Sequence, residues 1–204
     1  ARHLIALIYM AEGNFDDAKK NIEIAINQAP DQPIFHSNYG ALLHSMGNHQ
    51  EAIVALEKSI KFDGKLFQSY YSLGIVYSDL NQHEKAVEAY YKALNINDKS
   101  AAAHNNLANL LSNNNNPEAE YHYKKLVELE PTQVYPRLNM ANYYIKRDQF
   151  DEAISSLKEV VDMGIATKEV FNSLGVSYKG LNDTKNAISM FEEAIKIDKD
   201  FVLA

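Results

Sequence analysis

The chain has 204 residues, 46% of them hydrophobic, and sets 20 Lys plus Arg against 27 Asp plus Glu for a net charge of −7. That balance argues against a nucleic-acid partner, which needs a clustered basic face, and no apolar run approaches the length of a membrane span or opens like a signal peptide. The absence of cysteine excludes disulfides, thiolate metal sites and a thiol nucleophile, and leaves the cytoplasm as the default compartment.

Six alanines, Ala18, Ala52, Ala86, Ala119, Ala153 and Ala187, stand 34, 34, 33, 34 and 34 residues apart. A unit of this length with two helical patterns cannot bury its apolar face alone, so the units must stack into a solenoid. Repeat one (1–32) runs from Ile5 and Ala6 through a turn at Gly13 and Asn14 to Ala18, Ile22 and Ala25. Repeat two (33–66) reads Tyr39, Gly40, a turn at Gly47 and Asn48, then Ala52, Leu56 and Ser59. Repeat three (67–100) reads Leu73, Gly74, a turn at Asn81 and Gln82, then Ala86, Tyr90 and Ala93. Repeat four (101–133) carries Leu107, Ala108, Ala119, Tyr123 and Leu126, and its asparagine run 113–116 before Pro117 coincides with a one-residue deletion that shortens the turn. Repeat five (134–167) has Met140, Ala141, Asp148, Gln149, Ala153, Leu157 and Val160, and repeat six (168–201) has Leu174, Gly175, Asn182, Asp183, Ala187, Phe191 and Ala194. Each repeat therefore predicts a helix A with a large apolar knob beside a small hole, a turn residue that tolerates left-handed geometry or caps, and a helix B with an apolar face at spacings of 4 and 3.

The frame Tyr70-x2-Leu73-Gly74-x2-Tyr77, Ala86, Tyr90, Ala93 resembles the tetratricopeptide repeat family, and six copies in register extend the resemblance over nearly the whole chain. The family's closing proline is kept at Pro30 and Pro131 and replaced by Gly64, Asp98, Ile165 and Lys199, which loosens the turns between repeats. The resemblance implies an all-α, right-handed α-solenoid of about six helix-turn-helix repeats forming a single array over 1–204. It also implies that helix A lines a concave groove where a peptide or partner protein binds. Ala1 falls on the third position of a repeat, and Val202, Leu203 and Ala204 read as the start of a further helix A. The chain is thus expected to be a segment of a longer protein, with its uncapped ends as candidates for self-association.

Charges crowd the B helices, as at Glu84, Lys85, Glu88 and Lys92, in the pattern of a solvated face. In helix A of repeats two to four, residues 33–46, 67–80 and 101–112 contain a single charge, Asp79. The sixth position of each repeat reads Leu4, Asn38, Ser72, Asn106, Asn139 and Ser173, with Asn105 and Asn172 at the fifth and Asn109 and Asn142 at the ninth. Asparagine offers both a donor and an acceptor, so such a ladder can pair with the backbone of an extended peptide whatever its side chains. The ladder resembles that in the repeat arm of O-linked N-acetylglucosamine transferases. The competing reading is that sixth-position amides bond to the adjacent repeat. Tyr71 and Tyr135 fall on groove-facing positions as anchors for partner side chains, and Arg137, Lys146 and Lys179 are expected to make the far end receptive to acidic segments.

Co-chaperones of this family that grip a C-terminal carboxylate use three cations and two asparagines at positions filled here by Asn105, Asn109, Asn139, Glu169 and Ser173, of which the asparagines match at Asn109 and Asn139. Every cation is missing, which argues against that mode. The histidines, among them His36, His49, His83 and His104, replace packing aromatics and show no metal-ligand spacing. The sequon Asn182, Asp183, Thr184 sits where a helix cap is expected. No phosphate loop, nucleophile elbow or converging carboxylate pair appears, so no catalytic, cofactor or metal site is expected. The function expected is a peptide-binding scaffold. Its rivals are a substrate-recognition arm of a larger glycosyltransferase-type enzyme and a self-assembling scaffold.

Overall fold

A computed structural model describes residues 1–198. The described residues form twelve α-helices: α1 (Arg2–Ala11), α2 (Phe15–Gln28), α3 (Pro33–Ser45), α4 (His49–Phe62), α5 (Phe67–Asp79), α6 (His83–Ile96), α7 (Ala101–Asn113), α8 (Ala119–Leu129), α9 (Val134–Ile145), α10 (Phe150–Asp162), α11 (Lys168–Gly180) and α12 (Thr184–Ile197). Odd-numbered helices are the A helices of the sequence frame and even-numbered ones the B helices. Lys199, Val202, Leu203 and Ala204 lie outside the described residues. The chain divides into two compact units, Ala1–Leu110 and Leu111–Ala204.

In the first unit α1 with α2, α3 with α4 and α5 with α6 form antiparallel hairpins, and each B helix also packs on the next A helix, α2 on α3 and α4 on α5. The A helices touch one another, α1 against α3 and α3 against α5. In the second unit α9 with α10 and α11 with α12 pair in the same way, α10 packs on α11, and α9 touches α11.

Turn chemistry follows the sequence. Gly13, Gly47, Asn81, Asn115, Asp148 and Asn182 all take positive φ, between 54° and 79°, at the junction of A and B. This is the left-handed geometry that glycine adopts freely and asparagine or aspartate tolerates. Two B helices start on a side-chain cap: Asn14 accepts from the Asp17 amide at 3.3 Å and Asp183 from the Asn186 amide at 3.2 Å. In repeat four the deletion falls between Asn115 and Ala119. The Asn116 side chain accepts from the Glu118 amide at 2.9 Å, and α8 is left with 11 residues against 14 in α2, α4 and α6.

The recurring alanines are the points of closest helix approach: Ala18, Ala52, Ala86, Ala119 and Ala153 are wholly buried, and Ala187 nearly so. The small residue on helix A is a hole for a knob sixteen positions later. A Cβ built on Gly40 would come within 2.5 Å of Leu56, on Gly74 within 2.4 Å of Tyr90, and on Gly175 within 2.5 Å of Phe191. Apolar burial on this repeating pattern supplies most of the fold's stabilisation, at about 25 cal/mol per Å² removed from water.

Candidate functional site

The A helices of the first unit lie side by side, so their outward positions form one wall. Two of the sixth-position residues, Asn38 and Asn106, turn sideways along it, toward the preceding repeat. Asn38 Nδ2 donates to His3 Nε2 at 2.6 Å, and Asn106 Nδ2 donates to the Tyr71 hydroxyl at 3.3 Å. Both bonds link the sixth position of one repeat to the fifth of the repeat before it. Burial, then the α-amino charge of Ala1, hold the His3 imidazole below its usual pKa, which keeps it a neutral acceptor. Ser72 is buried and accepts from Gln68 Nε2 at 3.3 Å. In the second unit Ser173, also buried, donates to Asn142 Oδ1 at 3.3 Å. Asn139 is half-buried.

The ninth-position amides stand farther out. Asn109 and Asn142 are exposed, and Asn105 and Asn172 half-buried. Asn105 and Asn109 lie one helical turn apart on α7, so their side chains share a face. Tyr71 is stacked on Phe67 with ring centres 5.6 Å apart and leans on Tyr90 at 6.1 Å. Its ring is therefore fixed from both sides. Tyr135 in the second unit is 42% exposed, and its hydroxyl donates to the Glu130 carboxylate.

Electrostatically the wall of the first unit is close to neutral. Asp79, the lone charge of the A helices in repeats two to four, meets His44 Nε2 at 2.6 Å across the repeat junction. The B helices hold their charges in exposed pairs, Lys20 with Asp17 and Lys92 with Glu88 in the first unit, Lys124 with Glu120 and Lys125 with Glu128 in the second.

Arg137 departs from the sequence expectation. Its side chain is only 11% exposed, with Nε on Glu159 of α10 at 3.1 Å and Nη1 on the Pro131 carbonyl at 2.7 Å. It faces its own helix B and gives the wall no receptive cation. The cause is its place at the fourth position, from which a polar head reaches the carbonyl six residues back. His36 Nε2 meets the Pro30 oxygen at 2.6 Å in the same way, and His104 Nε2 the Asp98 oxygen at 3.0 Å. Lys146 Nζ donates to Asn113 Oδ1 at 3.4 Å, and Lys179 is exposed. Among the described residues no group of three His, Asp or Glu side chains converges as metal ligands.

Sequence reasoning missed two crevices on the B-helix side of the first unit. One, of about 310 Å³, lies between α2 and α4 over Tyr39 and Leu43 of α3. The other, of about 340 Å³, lies between α4 and α6 over Leu73 and Tyr77 of α5. Ile26, Val54 and Lys58 in the first recur as Ile60, Glu88 and Lys92 in the second, each 34 residues on. The signal was present in the period, but the crevices exist only because successive B helices stand apart where A helices touch. The first unit therefore curves toward its A-helix wall.

Three family models, each described as tetratricopeptide repeat, match residues 31–99, residues 1–32 with 169–201, and residues 68–134. The chain is 27% identical over 160 residues to the Hsp70-Hsp90 organising protein of Plasmodium falciparum, covering 75% of this chain and 27% of that protein. It is 31% identical over 97 residues to the small glutamine-rich tetratricopeptide repeat-containing protein 2 of Saccharomyces cerevisiae, covering 44% and 28%. The chain thus spans about a quarter of the length of these curated relatives. Among solved structures, YrrB, a TPR protein with an unusual peptide-binding site, superposes with a TM-score of 0.77 at 23% identity over 88% of this chain and 93% of that one. The Pseudomonas aeruginosa pilF structure gives 0.77 at 16% identity over 98% and 91%. These likenesses place the fold among the all-α tetratricopeptide solenoids.

Proposed function

The chain belongs to the tetratricopeptide repeat family of protein-interaction scaffolds, and from that premise we propose that the A-helix walls of its two units bind an extended peptide segment of a partner protein. The observation that carries this reading is the exposure of the ninth-position amides, Asn109 in the first unit and Asn142 in the second, with Asn105 and Asn172 half-buried beside them and the Asn142 oxygen accepting from Ser173. Sixth-position groups Asn38, Asn106 and Ser173 are engaged with the neighbouring repeat. They hold the wall in register more than they reach for a ligand. Tyr71 offers its hydroxyl and Tyr135 its exposed ring, as anchors do at peptide-binding surfaces.

The carboxylate-gripping mode receives no support from the charges. The positions that would carry its cations hold Asn105, Glu169 and Ser173, so a ligand carboxylate would meet no countercharge there. We read the chain as a non-catalytic binding module, in line with a relative named as an organising protein. Among the described residues no helix is long and apolar enough to cross a membrane.

The test is the triple change Asn105→Ala, Asn109→Ala and Asn142→Ala, measured against peptides selected on the chain from a displayed random library. Lost binding at an unchanged melting temperature supports contact through these amides. Binding that persists, or a melting temperature that falls with it, assigns the amides to the fold and refutes the reading.

A further inference from the structure

Resting on the groove reading above, we propose that the wall of the first unit selects segments without ionised side chains, built from aliphatic and amide or hydroxyl residues, and binds them independently of salt. The second and ninth positions of repeats two to four read Ile34, Ala41, Gln68, Ile75, Ala102 and Asn109. None can carry a charge. Ile34 is 36% exposed, Ala102 and Asn109 are exposed, and Ala41 and Ile75 are half-buried, so the surface offered is small, aliphatic and amide-bearing.

The one charge of the A helices in repeats two to four, Asp79 at the end of α5, is held by His44 at 2.6 Å. A ligand carboxylate or ammonium laid against the wall would lose water and find no opposite charge, which costs more than an amide or hydroxyl that keeps its hydrogen bonds. Neutral polar groups do find partners. The Tyr71 hydroxyl already accepts the Asn106 amide, which leaves its own proton to donate to a ligand carbonyl. The Asn38 carboxamide uses its nitrogen on His3, which leaves its oxygen to accept from a ligand N–H. Aliphatic side chains of the ligand would seat on Ala41 and Ile75 between these two polar points.

The experiment is selection of a displayed random dodecapeptide library on the full chain, followed by titration of the enriched peptides. The enriched pool should be depleted in Asp, Glu, Lys and Arg relative to the input, and affinities should change less than about twofold between about 0.05 and 0.5 M salt, because no charge pair is there to be screened. Tyr71→Phe should weaken binding several-fold while keeping the stack on Phe67, and Ala102→Lys should admit Asp- or Glu-bearing peptides that the parent chain rejects. Enrichment of charged peptides with steep salt dependence overturns this inference and leaves the groove reading standing. Retention of no peptide overturns both, and neutral peptides that ignore Tyr71→Phe and Ala102→Lys place selection away from this wall.

Discussion

Gly74 is the position where hole and knob can be tested most directly. A methyl group there would come within 2.4 to 2.8 Å of three ring carbons of Tyr90, which is 2% exposed and leans on Tyr71. In an open helix Gly→Ala stabilises by about 1 kcal/mol. Here the ring has no room to withdraw, and overpacking of this kind costs about 1–3 kcal/mol. Gly74→Ala should therefore destabilise by up to about 2 kcal/mol net, the packing cost offsetting the propensity gain of about 1 kcal/mol. The equivalent pair in repeat five places Ala141 opposite Leu157, both wholly buried, so an alanine and a leucine fit together at these positions there. In a Tyr90→Leu background, itself weakened by lost ring contacts, Gly74→Ala should become neutral or stabilising by up to about 1 kcal/mol. Urea unfolding followed by far-UV circular dichroism on the four proteins gives the coupling directly. If Gly74→Ala has the same effect in both backgrounds, within about 0.5 kcal/mol, the pairing of hole and knob is wrong.

Two further changes probe polar burial and titration. Ser37 is wholly buried and its hydroxyl has no partner among the described residues, whereas the Ser59 hydroxyl donates to the Pro33 carbonyl at 2.7 Å and meets Ser69 Oγ at 2.8 Å. Ser37→Ala should stabilise by about 1 kcal/mol and Ser59→Ala should cost about 1–2 kcal/mol, so equal signs in thermal unfolding would contradict the account. The Tyr39 and Tyr144 phenols are pushed well above the usual 10.0, first by burial and then by the Glu23 and Glu120 carboxylates they donate to. Their folded-state protons are held more tightly than the unfolded chain holds them, so this stability is fully present below about pH 10 and is lost as the pH rises past it. Tyr39→Phe with Tyr144→Phe should flatten the alkaline fall in melting temperature, and an unchanged slope would refute the assignment.

Elements whose cause is side-chain size or backbone freedom were legible in the chain alone. Gly40 opposite Leu56 and Gly74 opposite Tyr90 announce themselves because only a hole admits the knob. Asn81, Asp148 and Asn182 could be aligned with Gly13 and Gly47 because few residues tolerate positive φ. The direction of a polar head was not legible. Asparagine at the sixth position suits a ligand's backbone and a neighbour's side chain equally, and only the placement of His3 and Tyr71 decides for Asn38 and Asn106. Arg137 reads as a surface cation until the Pro131 carbonyl is found within reach of the fourth position, where His36 and His104 make the same contact. The crevices beside α4 escaped for a related reason: they belong to the spacing between B helices, which no single residue encodes.

The stitches along the first unit's wall bear on binding as well as on stability. A ligand that pairs with loose amides must immobilise them, at about 0.5–1.5 kcal/mol for each side chain fixed. Asn38 and Asn106 are already held through one N–H by the preceding repeat, and Tyr71 is held by its stack and by Asn106, so their remaining donors and acceptors are oriented before any peptide arrives. Had these positions carried Lys or Glu, each long charged chain would have kept its freedom in water and lost both freedom and hydration on contact. Placing the lysine–carboxylate pairs of the first unit, Lys20 with Asp17 and Lys92 with Glu88, on its B helices therefore leaves a nearly neutral, pre-ordered surface on the A-helix side.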